Sequence, residues 1–202
     1  MRTGRLLLVR HGESEGNRAR QYTPHPEVPL TDVGREQAAR AATWLASRYA
    51  PRAIVSSPFL RARQTAEIVA ETLQLALAVE PDLRERNYGA LAGSPYGTPR
   101  SGYDPAAYWT WRPEGGESLL EVVERAGAAL DRIALAAGGD EAVVVSHGAV
   151  MLALWRHVTG TWAEPRVVPN AGVVEVQHRA GSYSAARYLG HAAEDERPTW
   201  RR

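Results

Sequence analysis

Three short apolar runs, Leu6-Leu7-Leu8-Val9, Ala53-Ile54-Val55-Ser56 and Ala142-Val143-Val144-Val145, stand apart along the chain, separated by stretches whose apolar residues recur at helical spacing. A strand that is apolar at consecutive positions must be covered on both faces, as in a parallel sheet between two layers of helices. After the first run, Thr31-Asp32-Val33-Gly34-Arg35-Glu36 offers hydroxyl and carboxylate helix caps. Ala38, Ala41, Ala42, Leu45 and Tyr49 then fall on one helix face, and Pro51 closes the segment. Pro58 opens a second predicted helix, running through Ala66, Ile68, Val69 and Leu73. The longest helical pattern is Glu117 to Ala136, ended by Gly138-Gly139. A further helix spans about Ala149 to Val158. Val173 to Val176 and Tyr183 to Leu189 read as an antiparallel pair, turning at Arg179-Ala180-Gly181. Strands alternating with helices predict an α/β fold, a three-layer sandwich with a mostly parallel central sheet flanked by helices.

The 202 residues are enough for one domain with a substantial core, so 1–202 is read as a single unit. Residues 93–116 depart from the pattern, with Gly, Pro, Tyr and Trp crowded together; they read as a lid-like insertion. Residues 18–30 are a smaller irregular stretch, and the charged tail from about 191 to 202 is expected to be poorly ordered.

Composition removes several classes of function. Cysteine is absent, which excludes disulfides, thiolate metal sites and cysteine nucleophiles. Lysine and arginine total 24 against 23 acidic residues, so neither nucleic acid nor a charged membrane surface is an expected partner. No apolar stretch approaches the roughly 20 residues of a membrane span. The first run is too short for a signal peptide, and the cytoplasm is the expected location. All the cations are arginines, so any anion site here uses guanidinium or imidazole.

Two of the apolar runs end alike: the first in Arg10-His11-Gly12, the third in Ser146-His147-Gly148. Open α/β sheets bind ligands at the carboxyl ends of their strands, which is where these residues fall. The second run ends in Ser56-Ser57-Pro58, followed by a helix start carrying Arg61, an arrangement suited to an anion. Arg63, two residues on, reads as a solvated helix residue. Leu83-Arg84-Glu85-Arg86-Asn87-Tyr88-Gly89 adds a carboxylate between two arginines. Two histidines, several arginines and one carboxylate, with no acidic cluster of metal spacing, suit a phosphoryl group. Guanidinium forks neutralise its oxygens, imidazole is a competent nucleophile, and a carboxylic acid can protonate the leaving oxygen.

Arg10-His11-Gly12-Glu13-Ser14, then Asn17, Pro29-Leu30-Thr31 and Gly34, resemble the signature of the histidine phosphatase superfamily. Ser56-Ser57-Pro58 with Arg61-Ala62, Leu83 to Gly93, Gly115-Gly116-Glu117-Ser118 and Ser146-His147-Gly148 follow in that family's order. The resemblance implies that His11 attacks phosphorus and becomes phosphohistidine. It implies that Arg10, Arg61 and His147 hold the phosphoryl oxygens with help from Asn17, and that Glu85 is the general acid and base. No cofactor and no metal are implied. Thr23 and Glu13 stand between lining the site and serving as a loop hydroxyl and a helix-start carboxylate.

Within that family, Glu85 to Gly93 resembles the phosphoglycerate mutases. The following stretch, however, lacks the lysine and paired arginines by which mutases hold a second anion. It offers only Arg100 and Arg112, with Tyr96, Tyr103, Tyr108, Trp109 and Trp111 as an aromatic wall or as the loop's own packing. The expected function is therefore a phosphatase acting on a small phosphorylated substrate. A phosphoglycerate mutase and a non-catalytic phospho-ligand module are the alternatives. The oligomeric state is left open, a dimer included.

Overall fold

Strand β1 (Gly4–Arg10) occupies the middle of the sheet, and Leu6, Leu7, Leu8 and Val9 are all essentially inaccessible to water. The computed structural model describes residues 3–23, 25–162, 168–179 and 182–191. Five further strands complete the sheet: β2 (Ala53–Ser56), β3 (Leu77–Val79), β4 (Glu141–Ser146), β5 (Gly172–Arg179) and β6 (Ser182–His191). Their spatial order is β3-β2-β4-β1-β5-β6. The pairings β3-β2, β2-β4 and β4-β1 are parallel, whereas β1-β5 and β5-β6 are antiparallel. The sheet is thus mixed but mostly parallel, as expected.

Successive residues of β1 point to opposite faces, and each face has its own core. Leu6 and Leu8 pack with Val144, Leu130 and Leu154, under α4 (Leu119–Ala137) and α5 (Gly148–Thr159). Leu7 and Val9 pack with Ile54, Val143, Leu45 and Val69, under α2 (Asp32–Ala46) and α3 (Leu60–Leu73). Each fully buried aliphatic side chain contributes about 1.5–3 kcal/mol, so this double burial is what makes β1 the anchor of the fold.

Register carries the site. Arg10 of β1 pairs with Ser146 of β4, and the His11 amide donates to the Ser146 carbonyl at 2.9 Å. His11 and His147 are therefore brought side by side by the same hydrogen-bond ladder. Ser56 pairs with Val145, and the Ser57 amide donates to the Val145 carbonyl at 3.0 Å, which brings the end of β2 to the same rim.

Helix boundaries differ from expectation where side chains compete with the backbone. Helix α3 begins at Leu60, not Pro58, because Phe59 is extended and its amide donates to Ser57 Oγ. Helix α2 ends at Ala46; Tyr49 lies beyond it, bonding the Glu175 carboxylate through its hydroxyl. Helix α4 starts after Ser118, whose capping box with Glu121 saturates the first turn. The short α1 (Glu15–Arg18) and β3 were not foreseen. The tail from 192 onward and the Ala180-Gly181 turn lie outside the described residues.

Segment 93–116 is an excursion with closed ends. The Tyr22 amide donates to the Ser94 carbonyl and the Gly93 amide to the Tyr22 carbonyl, at 3.0 and 2.7 Å. At the far end the Ala90 amide donates to the Glu114 carbonyl at 2.8 Å.

Candidate active site

The His11 ring is 2% exposed. Its Nδ1 lies 2.6 Å from the Gly12 carbonyl oxygen. A carbonyl can only accept, so Nδ1 carries the proton and Nε2 keeps its lone pair. The Arg61 Nε–H points at that lone pair from 3.3 Å. Burial, then the charges of Arg61 and Arg10, hold the imidazole pKa well below its ordinary value, outweighing the Gly12 bond. The ring is neutral at physiological pH, as a nucleophile must be.

The chain around it is fixed by residues distant in sequence. The Gly12 amide donates to Thr65 Oγ1 at 3.1 Å, and Thr65 in turn donates to the Arg61 carbonyl at 2.8 Å. One α3 residue thus ties the loop after β1 to the turn bearing Arg61. Arg10 extends from the strand end and donates through Nη1 to the Val168 carbonyl at 2.7 Å, while its Nε is buried without a partner among the described residues.

His147 stands just before α5 and is completely buried. Its ring meets the His11 ring edge-on, centroids 5.2 Å apart. Nε2 lies 2.6 Å from Ser57 Oγ, and Nδ1 is buried with no partner among the described residues. Desolvation first, then Arg61, His11 and Arg10, push its pKa well below the usual value. Gly148 and Ala149, the residues that follow it, line the cavity on this side.

Glu85 reaches the same pocket from the loop after a single 3-10 turn, Pro81–Leu83. Its Oε1 accepts from the Arg86 amide at 2.8 Å. Its charge raises the pKa of both Arg10 and Arg61 against the larger, lowering effect of their burial. The backbone beneath it is clamped by Arg125, which donates to the carbonyls of Asp82, Arg84 and Glu85. Ser146 Oγ donates to the Leu83 carbonyl at 2.8 Å. Arg125 was not singled out from sequence and Ser146 was named only within its motif, without a role, because neither acts on its chain neighbours.

Asn17 lines the pocket from α1. Three donors, the Ser14 amide, Ser14 Oγ and Asn170 Nδ2, converge on its Oδ1. That convergence assigns the amide orientation and leaves Nδ2 donating to Tyr96 Oη at 3.3 Å. Thr23 also lines the pocket. Glu13 does not: it accepts from Thr31 Oγ1 at 2.8 Å, at the start of α2. Arg63 departs from expectation as well, being half-buried with Nε cut off from water and without a partner among the described residues.

The cavity these groups surround has a volume of about 400 Å³. Arg10, His11, Arg61 and Glu85 line it together with Tyr22, Tyr88, Tyr96, Tyr108, Arg86 and Arg100. The expected aromatic wall therefore divides. Tyr96 and Tyr108 face the cavity, whereas Tyr103 and Trp111 pack edge-on against each other and Trp109 stacks on Trp162. Arg112 is committed to Glu121 and the Gly116 carbonyl. Among the described residues no group of three His, Asp or Glu is placed to hold a metal ion, and no helix is long and apolar enough to cross a membrane.

Comparison with known proteins gives a consistent set of likenesses. The model of the histidine phosphatase superfamily (branch 1) matches residues 6–189. The chain is 34% identical over 177 residues to phosphoglycerate mutase-like protein 4 of Arabidopsis thaliana, covering 83% of this chain and 76% of that one. It is 35% identical over 163 residues to the metal-independent phosphoserine phosphatase of the same plant, covering 76% and 68%. The structure of mycobacterial glucosyl-3-phosphoglycerate phosphatase in complex with VO3 superposes with a TM-score of 0.80 at 26% identity, over 92% of this chain and 97% of that one.

Proposed function

The chain belongs to the histidine phosphatase superfamily and is a hydrolase, and we propose that it hydrolyses a small phosphomonoester through a phosphohistidine formed on His11. The observation that carries this reading is the His11 tautomer: Nδ1–H is held by the Gly12 carbonyl, and the Nε2 lone pair faces the Arg61 guanidinium in a cavity that Arg10 and Glu85 also line.

The substrate phosphoryl group takes the part of the pocket lined by Arg10, His11 and Arg61. Arg61 Nε exchanges the His11 lone pair for a phosphoryl oxygen. Arg10 Nε and His147 Nδ1, both buried and unpartnered, gain acceptors there, and Asn17 Nδ2 adds a donor. Nε2 attacks phosphorus in line and the bond to the leaving oxygen breaks. Glu85, entering as the neutral acid, gives its proton to that oxygen. The ring becomes a phosphoimidazolium, whose charge the Gly12 carbonyl stabilises through Nδ1–H. Water then attacks phosphorus and loses its proton to the Glu85 carboxylate. The N–P bond breaks, and orthophosphate, neutral His11 and protonated Glu85 are restored. There is little covalent chemistry for the protein beyond this nucleophile, so the arginines supply most of the acceleration by preorganised charge. No metal or cofactor takes part in this scheme, and no nucleic acid or membrane partner is needed for it.

Phosphatase is preferred to mutase because Arg112, one of two arginines in 93–116, is committed to Glu121. A non-catalytic binding module is disfavoured by Glu85, which a mere oxyanion receptor does not need. The test is release of phosphate from p-nitrophenyl phosphate in the presence of chelator, together with capture of an acid-labile phosphoryl group on the protein. His11→Ala is expected to abolish both; a variant that keeps most of the activity overturns the assignment. Interconversion of 2- and 3-phosphoglycerate outpacing phosphate release would favour the mutase instead.

A further inference from the structure

Residues 85–88 belong to no helix or strand, so no backbone ladder fixes where the Glu85 carboxyl group stands. Two side chains from outside the segment take over that task. Arg125 projects from α4, and each of its nitrogens is engaged. Nε and Nη2 donate to the two carboxylate oxygens of Glu117 at 2.8 and 2.9 Å. Nη1 donates to the carbonyls of Asp82 and Arg84 at 2.7 and 2.9 Å, and Nη2 also donates to that of Glu85 at 3.3 Å. A guanidinium has five N–H donors, so this one has none left over for a substrate.

Glu117 grips the same segment. Its carboxylate accepts from the Asn87 amide at 2.8 Å and from Arg84 Nη2 at 3.5 Å. Its amide donates to the Asn87 carbonyl at 2.9 Å, and its carbonyl accepts from Arg86 Nε at 2.7 Å. Every residue from Arg84 to Asn87 is thus held by Arg125, by Glu117 or by both. The two side chains are 12% and 16% exposed. Burial works against the Glu117 charge, but the Arg125 bond and the Asn87 amide outweigh it and hold the carboxyl below its ordinary pKa. A buried ion pair gives little net stability, because desolvation offsets its attraction. What a planar guanidinium fork does give is direction. Here that direction is imposed on the backbone that carries the acid.

We propose that Arg125 and Glu117 are a positioning pair for Glu85: neither reacts with substrate, and together they hold the acid at the distance from which it can protonate the leaving oxygen. The proposal rests on the reading of Glu85 given above. A general acid must come within hydrogen-bond reach of the atom it protonates. Misplacement by about 1 Å can cost roughly a hundredfold in rate. A slack segment 84–87 therefore weakens proton donation without altering Arg10, His11 or Arg61.

The test is the ratio of kcat/KM on an alkyl ester, glycerol 3-phosphate, to that on p-nitrophenyl phosphate, whose leaving group departs without a proton. Arg125→Gln is expected to lower this ratio about tenfold, and Arg125→Lys, which keeps the charge without the fork, should lower it less. In a Glu85→Gln background, Arg125→Gln should leave the ratio where Glu85→Gln put it, since no acid remains to be placed. An arginine that only braces the fold would lower both esters alike. Should Arg125→Gln not fold, Arg125→Lys and Glu117→Gln carry the same comparison. A ratio unchanged in the folded variants, or one that falls further in the Glu85→Gln background, overturns the proposal and leaves the phosphatase reading intact. A ratio unchanged by Glu85→Gln itself removes the acid and this proposal with it. No release of phosphate from either ester by the wild type overturns the phosphatase reading as well.

Discussion

Asn170 and Asn17, 153 positions apart, share one hydrogen bond that decides which end of an amide meets the pocket. Asn170 Nδ2 donates to Asn17 Oδ1 at 3.0 Å and to the His11 carbonyl at 3.1 Å. With Oδ1 also taken up by Ser14, Asn17 can offer only its NH2 group to the cavity. Asn170→Asp keeps the shape but places an acceptor against two acceptors. It is expected to lower kcat/KM about tenfold, the size of one lost hydrogen bond of about 1 kcal/mol plus the repulsion that replaces it. The loss should fall mainly on KM, because substrate binding uses the Asn17 donor. Unchanged steady-state constants for this variant would show that the Asn17 amide does not depend on Asn170.

Gly12 and Gly34 meet back to back, joining the loop after β1 to the first turn of α2. A Cβ added at Gly34 would lie 2.0 Å from the Glu13 carbonyl oxygen, and one added at Gly12 would lie 2.2 Å from the Gly34 carbonyl oxygen. Both obstacles are backbone, so no rotamer change relieves them. Gly12→Ala and Gly34→Ala should each cost about 2–3 kcal/mol, in line with overpacking at a site that cannot relax. Urea unfolding measures it. A loss below about 0.5 kcal/mol, the scale of ordinary surface substitutions, would show that the two segments separate easily.

What the sequence disclosed follows from how local each signal is. β1, β2 and β4 could be read because consecutive apolar residues admit no other placement than a strand covered twice. Arg10, His11 and Arg61 could be placed at a strand rim because each immediately follows or adjoins such a run. β3 could not, since its three residues are half-exposed or exposed and their pattern is not periodic. Asn170, Arg125 and Ser57 were not assigned roles because each acts on groups brought near by the sheet and not by the chain. The split of the aromatic segment was equally hidden. Whether a Trp faces a cavity or stacks on Trp162 depends on a contact with the far end of α5. His147, expected to hold a phosphoryl oxygen beside the nucleophile, could be placed because it follows an apolar run just as His11 does, and the register of β1 with β4 brings the two rings to 5.2 Å.

Acid should destabilise this fold in the range just below the ordinary imidazole pKa of about 6.5. His11, His147 and His178 are all buried, and burial is the leading cause lowering the pKa of each. A histidine whose folded-state pKa is depressed binds its proton more readily when unfolded. Falling pH therefore favours the unfolded chain, beginning near 6.5 and continuing down to the folded-state values. Each group contributes up to about 1.4 kcal/mol per pH unit in that window. Both ring nitrogens of His178 are without a partner among the described residues, and Gly4 packs directly against the ring. His178→Leu removes one titrating group without breaking a hydrogen bond. Denaturant unfolding at pH 8 and pH 5.5 should show a loss on acidification that is smaller in this variant. Equal stability of the wild type at the two pH values would mean that these rings are not held neutral by the fold.

Glu85→Gln separates proton donation from the other things a carboxylate does at the pocket. The amide keeps an oxygen for the Arg86 N–H at 2.8 Å but has no acidic proton to give. For an alkyl phosphate, the leaving alkoxide is strongly basic and cannot depart unprotonated. General acid catalysis of that kind is worth roughly 10²–10⁴-fold. For p-nitrophenyl phosphate the leaving phenolate is stable without a proton, so little of that factor is at stake. The parameter to compare is kcat/KM, which ends at the first irreversible step and so reports formation of the phosphoenzyme, whatever happens to the later attack of water. The expected result is a loss of at least about a hundredfold on the alkyl ester and less than about tenfold on the nitrophenyl ester. Equal losses on the two would leave Glu85 as a fixed charge beside Arg10 and Arg61. The proton for the leaving group would then have to come from elsewhere in the pocket.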